Sequence, residues 1–164
     1  MTTLQVPTDI ERVLRASGAA PFDATALCAA VDAFAQPVMR HTLCTVNRLD
    51  ASLLRLTRVY SSNPVAYPPG GSKDKRGTSW GQQVLVERRV FVGEGTEAIR
   101  ASFDDHEAIA RLALRSVVNV PIVFEQQCLG TLNLLMQAAS VAPEQVQFAR
   151  LAAVLLLPAL RHAR

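Results

Sequence analysis

The chain has 164 residues, a formal net charge of +3 and a hydrophobic share of 49%, which fits one ordinary domain with a sizeable core. Its basic residues are spread along the sequence without the basic helix or aromatic-basic platform of a nucleic-acid binder, so no nucleic-acid partner is expected. The longest apolar run, residues 151–160, falls short of the roughly 18 residues of a bilayer span, and the first ten residues lack an apolar signal stretch, so no membrane partner and a cytoplasmic location are expected.

Thr8 and Glu11 have capping-box spacing and open a helix with the apolar stripe Ile10, Val13 and Leu14; Gly18 is its stop. Asp23 caps a second helix carrying Leu27, Cys28, Val31 and Phe34 at helical spacing, and Pro37 is expected to end it. Residues 41–49 and 53–60 read as a β-hairpin around Asp50-Ala51-Ser52. Arg55 and Arg58 fall on opposite faces of its second strand. That places the strand at a sheet edge, since arginine is rarely buried unpaired.

Residues 61–78, SSNPVAYPPGGSKDKRGT, form a long irregular segment, read as a mobile cover over one sheet face. Its Lys73, Lys75 and Arg76 read as solvated charges that add some attraction for an anion. Thr78 or Ser79 caps a short helix reaching Glu87, with Trp80, Val84 and Leu85 on it. Residues 89–92 form a brief strand. Asp104 or Asp105 then opens a short helix with His106, Ile109 and Leu112.

Residues 115–135, RSVVNVPIVFEQQCLGTLNLL, organise the rest. Strands 117–124 and 128–135 flank the polar break Glu125-Gln126-Gln127. A three-residue turn puts Asn119 and Pro121 on one face with Thr131 and Asn133. Val118, Val120, Ile122, Leu132 and Leu134 then form an apolar opposite face. Pro121 lacks a ladder donor and must face a bulge, a ligand or solvent; Gly130 marks a kink or a close backbone approach. A final helix begins at Pro143, carries Val146, Phe148, Leu151, Val154 and Leu155, and bends near Pro158. It is apolar on more than one side, which predicts burial against the sheet on one side and against the 8–17 helix, a second copy of the chain, or both on the other.

This order predicts an α+β domain, one antiparallel sheet with terminal helices on one face. Short helices and the long loop cover a pocket on the other. The candidate ligand-binding residues are Trp80, Phe91, His106, Asn119, Thr131 and Asn133. The aromatics supply walls, and strand amides that are buried need partners. Two amides and no acid on the hairpin face favour a neutral or mildly anionic ligand with a flat or apolar body.

The cysteines Cys28, Cys44 and Cys128 are widely spaced inside helix or strand patterns and read as small buried hydrophobes. His41, His106 and His162 have no metal-ligand spacing, so no metal and no cofactor are expected.

Four segments in order resemble a GAF domain: GTSWGQQVLVERRVFVG, DDHEAIARLALRS, SVVNVPIVFEQQCLGTLNL and PEQVQFARLAAVLLLPAL. The third is similar to the family's S-x-x-x-V-P-[ILV] … [IL]-G-x-[IL]-x-[IL] hairpin. The resemblance implies a five- to six-stranded sheet ordered 2-1-5-4-3, with terminal helices behind it and a small-molecule pocket in front. It implies a single GAF-like domain over 1–164, with 1–20 as an N-terminal helical extension and 22–162 as the core. It also implies a sensory or regulatory role, with a homodimer through the terminal helices and a separate effector protein as partners.

Family chemistries known from that resemblance are not matched. The cyclic-nucleotide signature after the last strand is replaced by Leu135-Met136-Gln137. Bilin attachment needs a pocket cysteine. Free methionine-(R)-sulfoxide reductases need pocket cysteines and hairpin carboxylates; Val117, Asn133 and Leu135 stand at the latter positions, and residues 108–115 hold no cysteine. The expectation is a non-catalytic sensor of a small organic ligand. The reductase and a ligand-free dimerisation module are the alternatives.

Overall fold

The structure, a computed structural model, describes residues 10–162. Helices α1 (Ile10–Ser17) and α2 (Ala24–Met39) lead into strands β1 (His41–Asp50) and β2 (Arg55–Ser61). Then come β3 (Ser72–Asp74), α3 (Ser79–Gly81), β4 (Phe91–Glu94), α4 (Thr96–Ser102) and α5 (His106–Arg111). Strands β5 (Ser116–Phe124) and β6 (Gln127–Met136) form the second hairpin, and α6 (Pro143–Leu155) and α7 (Leu157–His162) close the chain. The six strands make one antiparallel sheet in the order β3-β2-β1-β6-β5-β4. The five strands read from sequence stand in the expected order, with β3 added outside β2.

Alternation along the strands sorts side chains into two layers. Behind the sheet, Cys44, Val46, Val118, Val120, Ile122, Leu132 and Leu134 share one core with Leu27, Val31 and Phe34 of α2 and Ala149, Ala152 and Ala153 of α6. Val13 of α1 joins the same core, and Phe34 stacks on Phe148 at 5.1 Å. Burying each large side chain there stabilises the fold by roughly 1.5–3 kcal/mol. In front, Leu43, Val117 and Leu135 meet Ile99, Ile109 and Leu114, while Leu56 packs with Trp80, Val84 and Leu85.

The central hairpin reaches its expected faces by two offsetting departures. Its turn has two residues rather than three: Glu125 and Gln126 take φ of 49° and 63°, and Phe124 pairs with Gln127. Left-handed φ at both positions matches the strand twist. A bulge at Leu129 then restores the count, because Val123 pairs with Cys128 but Ile122 with Gly130. Asn119 therefore still faces Asn133, and Pro121 faces Thr131. Gly130 is a close approach, since a Cβ there would collide with the Asn47 carbonyl oxygen. Pairing with β4 stops at Asn119, so no β4 residue pairs with Pro121.

Several local expectations are corrected. The capping residue Thr8 lies outside the described residues. Pro37 does not end α2: the helix runs to Met39, whose fully buried side chain offsets the lost donor, and Arg40 closes it at φ 53°. Strand β2 is not an edge, because Arg55, Leu56 and Thr57 pair with Asp74, Lys73 and Ser72 of β3. The long segment is thus partly a strand. Strand β4 begins at Phe91, two residues later than expected, and α4 is an additional helix. The last helix breaks at Leu156, two residues before Pro158, which cannot supply a helix N–H.

Candidate functional site

A small cavity of about 70 Å³ opens on the front of the sheet. Its floor comes from Thr45 and Asn47 of β1, Asn119 of β5 and Asn133 of β6. Leu43, Val117, Leu135 and Ile109 make one apolar wall, and Trp80 and Phe103 make an aromatic one. Arg58, Lys73, Lys75 and Asp105 supply the charge.

Trp80 is set in place by local chemistry. Thr78 caps α3, its hydroxyl accepting from the Gly81 N–H at 2.9 Å and donating to the Lys75 carbonyl at 2.8 Å. Gly81 sits so close to the chain just after β3 that a Cβ would collide with the Lys75 carbonyl oxygen. One π-helical turn, Gln82–Val86, follows and buries both Val84 and Leu85. The indole Nε1–H of Trp80 donates to Asn119 Oδ1 at 3.0 Å. The Asn119 amide in turn donates to Asn133 Oδ1 at 2.8 Å, and the Asn133 amide donates to Thr45 Oγ1 at 3.1 Å. The two amides are therefore satisfied by each other and by their neighbours, as buried polar groups must be. Their arrangement fixes the floor.

The charges are unevenly matched. Lys73 pairs with Asp105 at 2.7 Å, and Arg76 pairs with Asp74 out in solvent. Burial pushes the Asp105 carboxyl up, but Lys73 outweighs it and leaves the pKa below the usual carboxylate value. Burial and then the Asp105 charge push the Tyr67 hydroxyl up. Arg58 donates to the Pro68 carbonyl at 2.9 Å and lies over the Tyr67 ring, while its Nε is buried without a partner. Lys75 is 7% exposed and has no acidic partner among the described residues; its ammonium lies 4.9 Å from the Trp80 ring centroid. Burial, reinforced by Lys73, pushes its pKa down.

Of the residues singled out from sequence, Trp80, Asn119 and Asn133 line the cavity together. Phe91 lies one layer out, edge-on to Phe103 at 6.0 Å. Thr131 is fully buried beneath Asn47, whose amide reaches its hydroxyl at 3.4 Å. His106 opens α5 beside Asp105 and is not part of the lining. Sequence reasoning did not place Arg58, Tyr67, Phe103 or Asp105 at the site, and it read Lys73 and Lys75 as solvated charges with some attraction for an anion. A signal existed for the lysines: Lys73 and Lys75 are two apart in an extended segment, so they share a face. No cysteine lines the cavity. Burial pushes the Cys28 thiol up to about 12 and the Cys44 and Cys128 thiols upward as well.

A second polar cluster lies behind the sheet. Asp32 of α2 takes His41 Nε2 at 2.6 Å on one oxygen and the Tyr60 hydroxyl at 2.7 Å on the other. The donor atoms of Asp32, His41 and Cys44 lie within 4.8 Å of one another. Histidine spacing gave no hint of this group, which is assembled by β1 crossing α2. Both Asp32 oxygens are occupied, so the cluster ties α2 to the first hairpin.

No protein-family profile matches the chain, and no curated protein matches it. Among solved structures it is similar to the GAF domain of a phosphoenolpyruvate-protein phosphotransferase from Coxiella burnetii, with 15% identity, a TM-score of 0.75, and 95% of this chain and 92% of that chain covered. The GAF domain of the Acinetobacter phosphoenolpyruvate-protein phosphotransferase gives 16% identity, a TM-score of 0.73, and 99% and 96% coverage. A GAF domain/HD domain protein from Geobacter sulfurreducens gives 11% identity, a TM-score of 0.69, and 85% and 93% coverage. At these identities the likeness is one of fold, and the fold is that of GAF domains.

Proposed function

We propose, from the GAF-domain fold of this chain and the cavity on its front face, that it is a non-catalytic sensory domain. It binds a small organic molecule and passes the resulting bias to a second copy of itself or to an effector protein. The single observation that carries this reading is the cavity itself. An apolar and aromatic enclosure with a few fixed polar groups is the usual make-up of a small-molecule site. Trp80, Asn119 and Asn133 build its floor and wall. In this reading Phe91, His106 and Thr131 support the site from outside the lining, and residues 22–162 act as one unit with α1 attached.

A sulfoxide-reductase reading is disfavoured by the same geometry. A nucleophilic thiol must be exposed and electropositive, and the three cysteines lie off the cavity with raised pKa values. The dimer reading is supported by Leu151 and Val154 of α6, which are 50% and 59% exposed.

The test is a thermal-shift screen of small metabolites with Trp80 emission as a second readout. Trp80 is the sole tryptophan and lines the cavity. A ligand that binds only the folded state must raise the melting temperature, by an amount that grows with its concentration. A broad screen with no compound moving both readouts would leave the dimerisation module as the better reading.

A further inference from the structure

We propose that the front cavity receives a small carboxylate, its charge met by the Lys75 ammonium and its body by Leu43, Val117 and Ile109. The proposal rests on the ligand-binding reading above and names the class of ligand.

The first ground is an unanswered charge. Lys75 is 7% exposed and forms no ion pair among the described residues. The two acids whose charges reach it are Asp104 and Asp105; Asp105 is taken by Lys73, and Asp104 makes no contact pair with the ammonium. Among the described residues the ammonium rests against aromatic faces, at 4.9 Å from the Trp80 centroid and 5.9 Å from that of Phe103. Cation–π attraction returns part of the lost hydration, but an ammonium has three donors to satisfy. A buried cation without an anion is an expensive arrangement in a native interior. The Lys75 side chain lines the cavity, so the missing partner has a place.

The second ground is the sign of the whole enclosure. Arg58, Lys73 and Lys75 line it against the single carboxylate of Asp105. Arg58 brings a buried Nε with no partner, a further donor unmet by the protein. The Asn119 and Asn133 amides, by contrast, are engaged in the relay from Trp80 to Thr45, and the Asn47 amide reaches the Thr131 hydroxyl. What the cavity lacks is an acceptor that carries negative charge.

The third ground is size. A water needs about 10–15 Å³ of such space, so about 70 Å³ holds a molecule of a handful of non-hydrogen atoms. A short aliphatic or keto acid fits, with its carboxylate toward Lys75 and its carbon end on the apolar wall. A nucleotide does not fit the enclosed space.

The experiment compares acids with their uncharged isosteres. Acetate, propionate, butyrate and pyruvate are titrated against acetamide, propionamide and butyramide, at ionic strength matched with sodium chloride. Melting temperature and Trp80 emission are both read. The expected result is that at least one acid raises the melting temperature and shifts the emission, binding about tenfold tighter than its amide. Lys75→Gln should abolish the acid's advantage. Amides binding as tightly as acids would overturn the carboxylate assignment and leave the pocket reading standing. Neither series binding to the folded protein would overturn the carboxylate assignment, and the broad screen alone then decides the ligand-binding reading. An acid preference that survives in Lys75→Gln would overturn the role given to Lys75. If that variant does not fold, the acid–amide comparison on the unaltered chain still decides the proposal.

Discussion

The indole nitrogen of Trp80 and the side-chain oxygen of Asn119 meet at 3.0 Å in the interior, joining the segment above the cavity to the strand beneath it. Both residues are almost fully buried, so neither atom has water to fall back on. The bond holds the aromatic wall at a fixed height over the floor.

Asn119→Leu should therefore act on stability first. It orphans the Trp80 N–H and removes the donor to Asn133, at about 1–3 kcal/mol for each group left unpaired. Urea unfolding measures the loss. A change smaller than about 0.5 kcal/mol would mean that the relay contributes little to the folded state.

The hairpin turn offers a gain. Gln126 holds φ of 63°, a region glycine enters without strain, and only its backbone carbonyl is used, as acceptor for Arg88. Gln126→Gly should add about 0.5–1 kcal/mol. Thermal unfolding would register a rise of a few degrees at most. A fall would mean that the Gln126 side chain contributes contacts that outweigh its backbone strain.

Leu151 and Val154 lie three residues apart on one face of α6 and are half exposed. A dimer that buries them should dissociate in the double variant Leu151→Lys, Val154→Lys. Light scattering on the unaltered protein at tens of micromolar should give twice the chain mass, and on the variant the single mass. Because both sites are exposed within one chain, the variant's own fold should change little. A single mass for the unaltered protein would end the dimer reading.

Cys28 sets an alkaline limit. Burial is the main cause of its raised pKa, with the Arg48 charge opposing, and the thiol moves from 9.0 to about 12. Above pH 9 the unfolded chain loses this proton while the folded chain keeps it, so stability falls as pH rises toward 12. Cys44 shifts in the same direction through its burial. Urea midpoints taken at about pH 8 and about pH 10 should separate in the native chain and separate less in Cys28→Ala. Equal separation in both would assign the alkaline loss to other groups.

Much of the architecture was legible in the sequence because it rests on alternation. Val118, Val120, Ile122, Leu132 and Leu134 declare one face of the central hairpin, and Asn119 and Asn133 the other. The turn length was misjudged without harm, since the bulge at Leu129 repaired the register. Pro37 misled because a local helix breaker was outweighed by the burial of Met39, a tertiary effect. The cavity's charges were missed for a related reason. The spacing of Lys73 and Lys75 puts them on one face only if the segment is extended, and a proline- and glycine-rich stretch does not announce the pairing with β2 that makes it so.

Strand β3 carries Lys73, with Lys75 just beyond it, and it is held to the sheet by a short ladder to β2 alone, the Arg55, Leu56 and Thr57 pairings flanked by backbone bonds of Lys75 to Leu54 and of Arg58 to Gly70 and Gly71. The floor of the cavity lies on β1, β5 and β6, which pair in long central ladders. The two sides of one enclosure thus belong to regions of very different local opening free energy. Amide exchange at residues 72–75 should be fast and insensitive to changes in global stability, while exchange at 117–120 should report unfolding of the whole. A guest would come and go on the timescale of a peeling edge, with the sheet behind it undisturbed. How long a molecule resides and how stable the protein is would then be separately adjustable quantities.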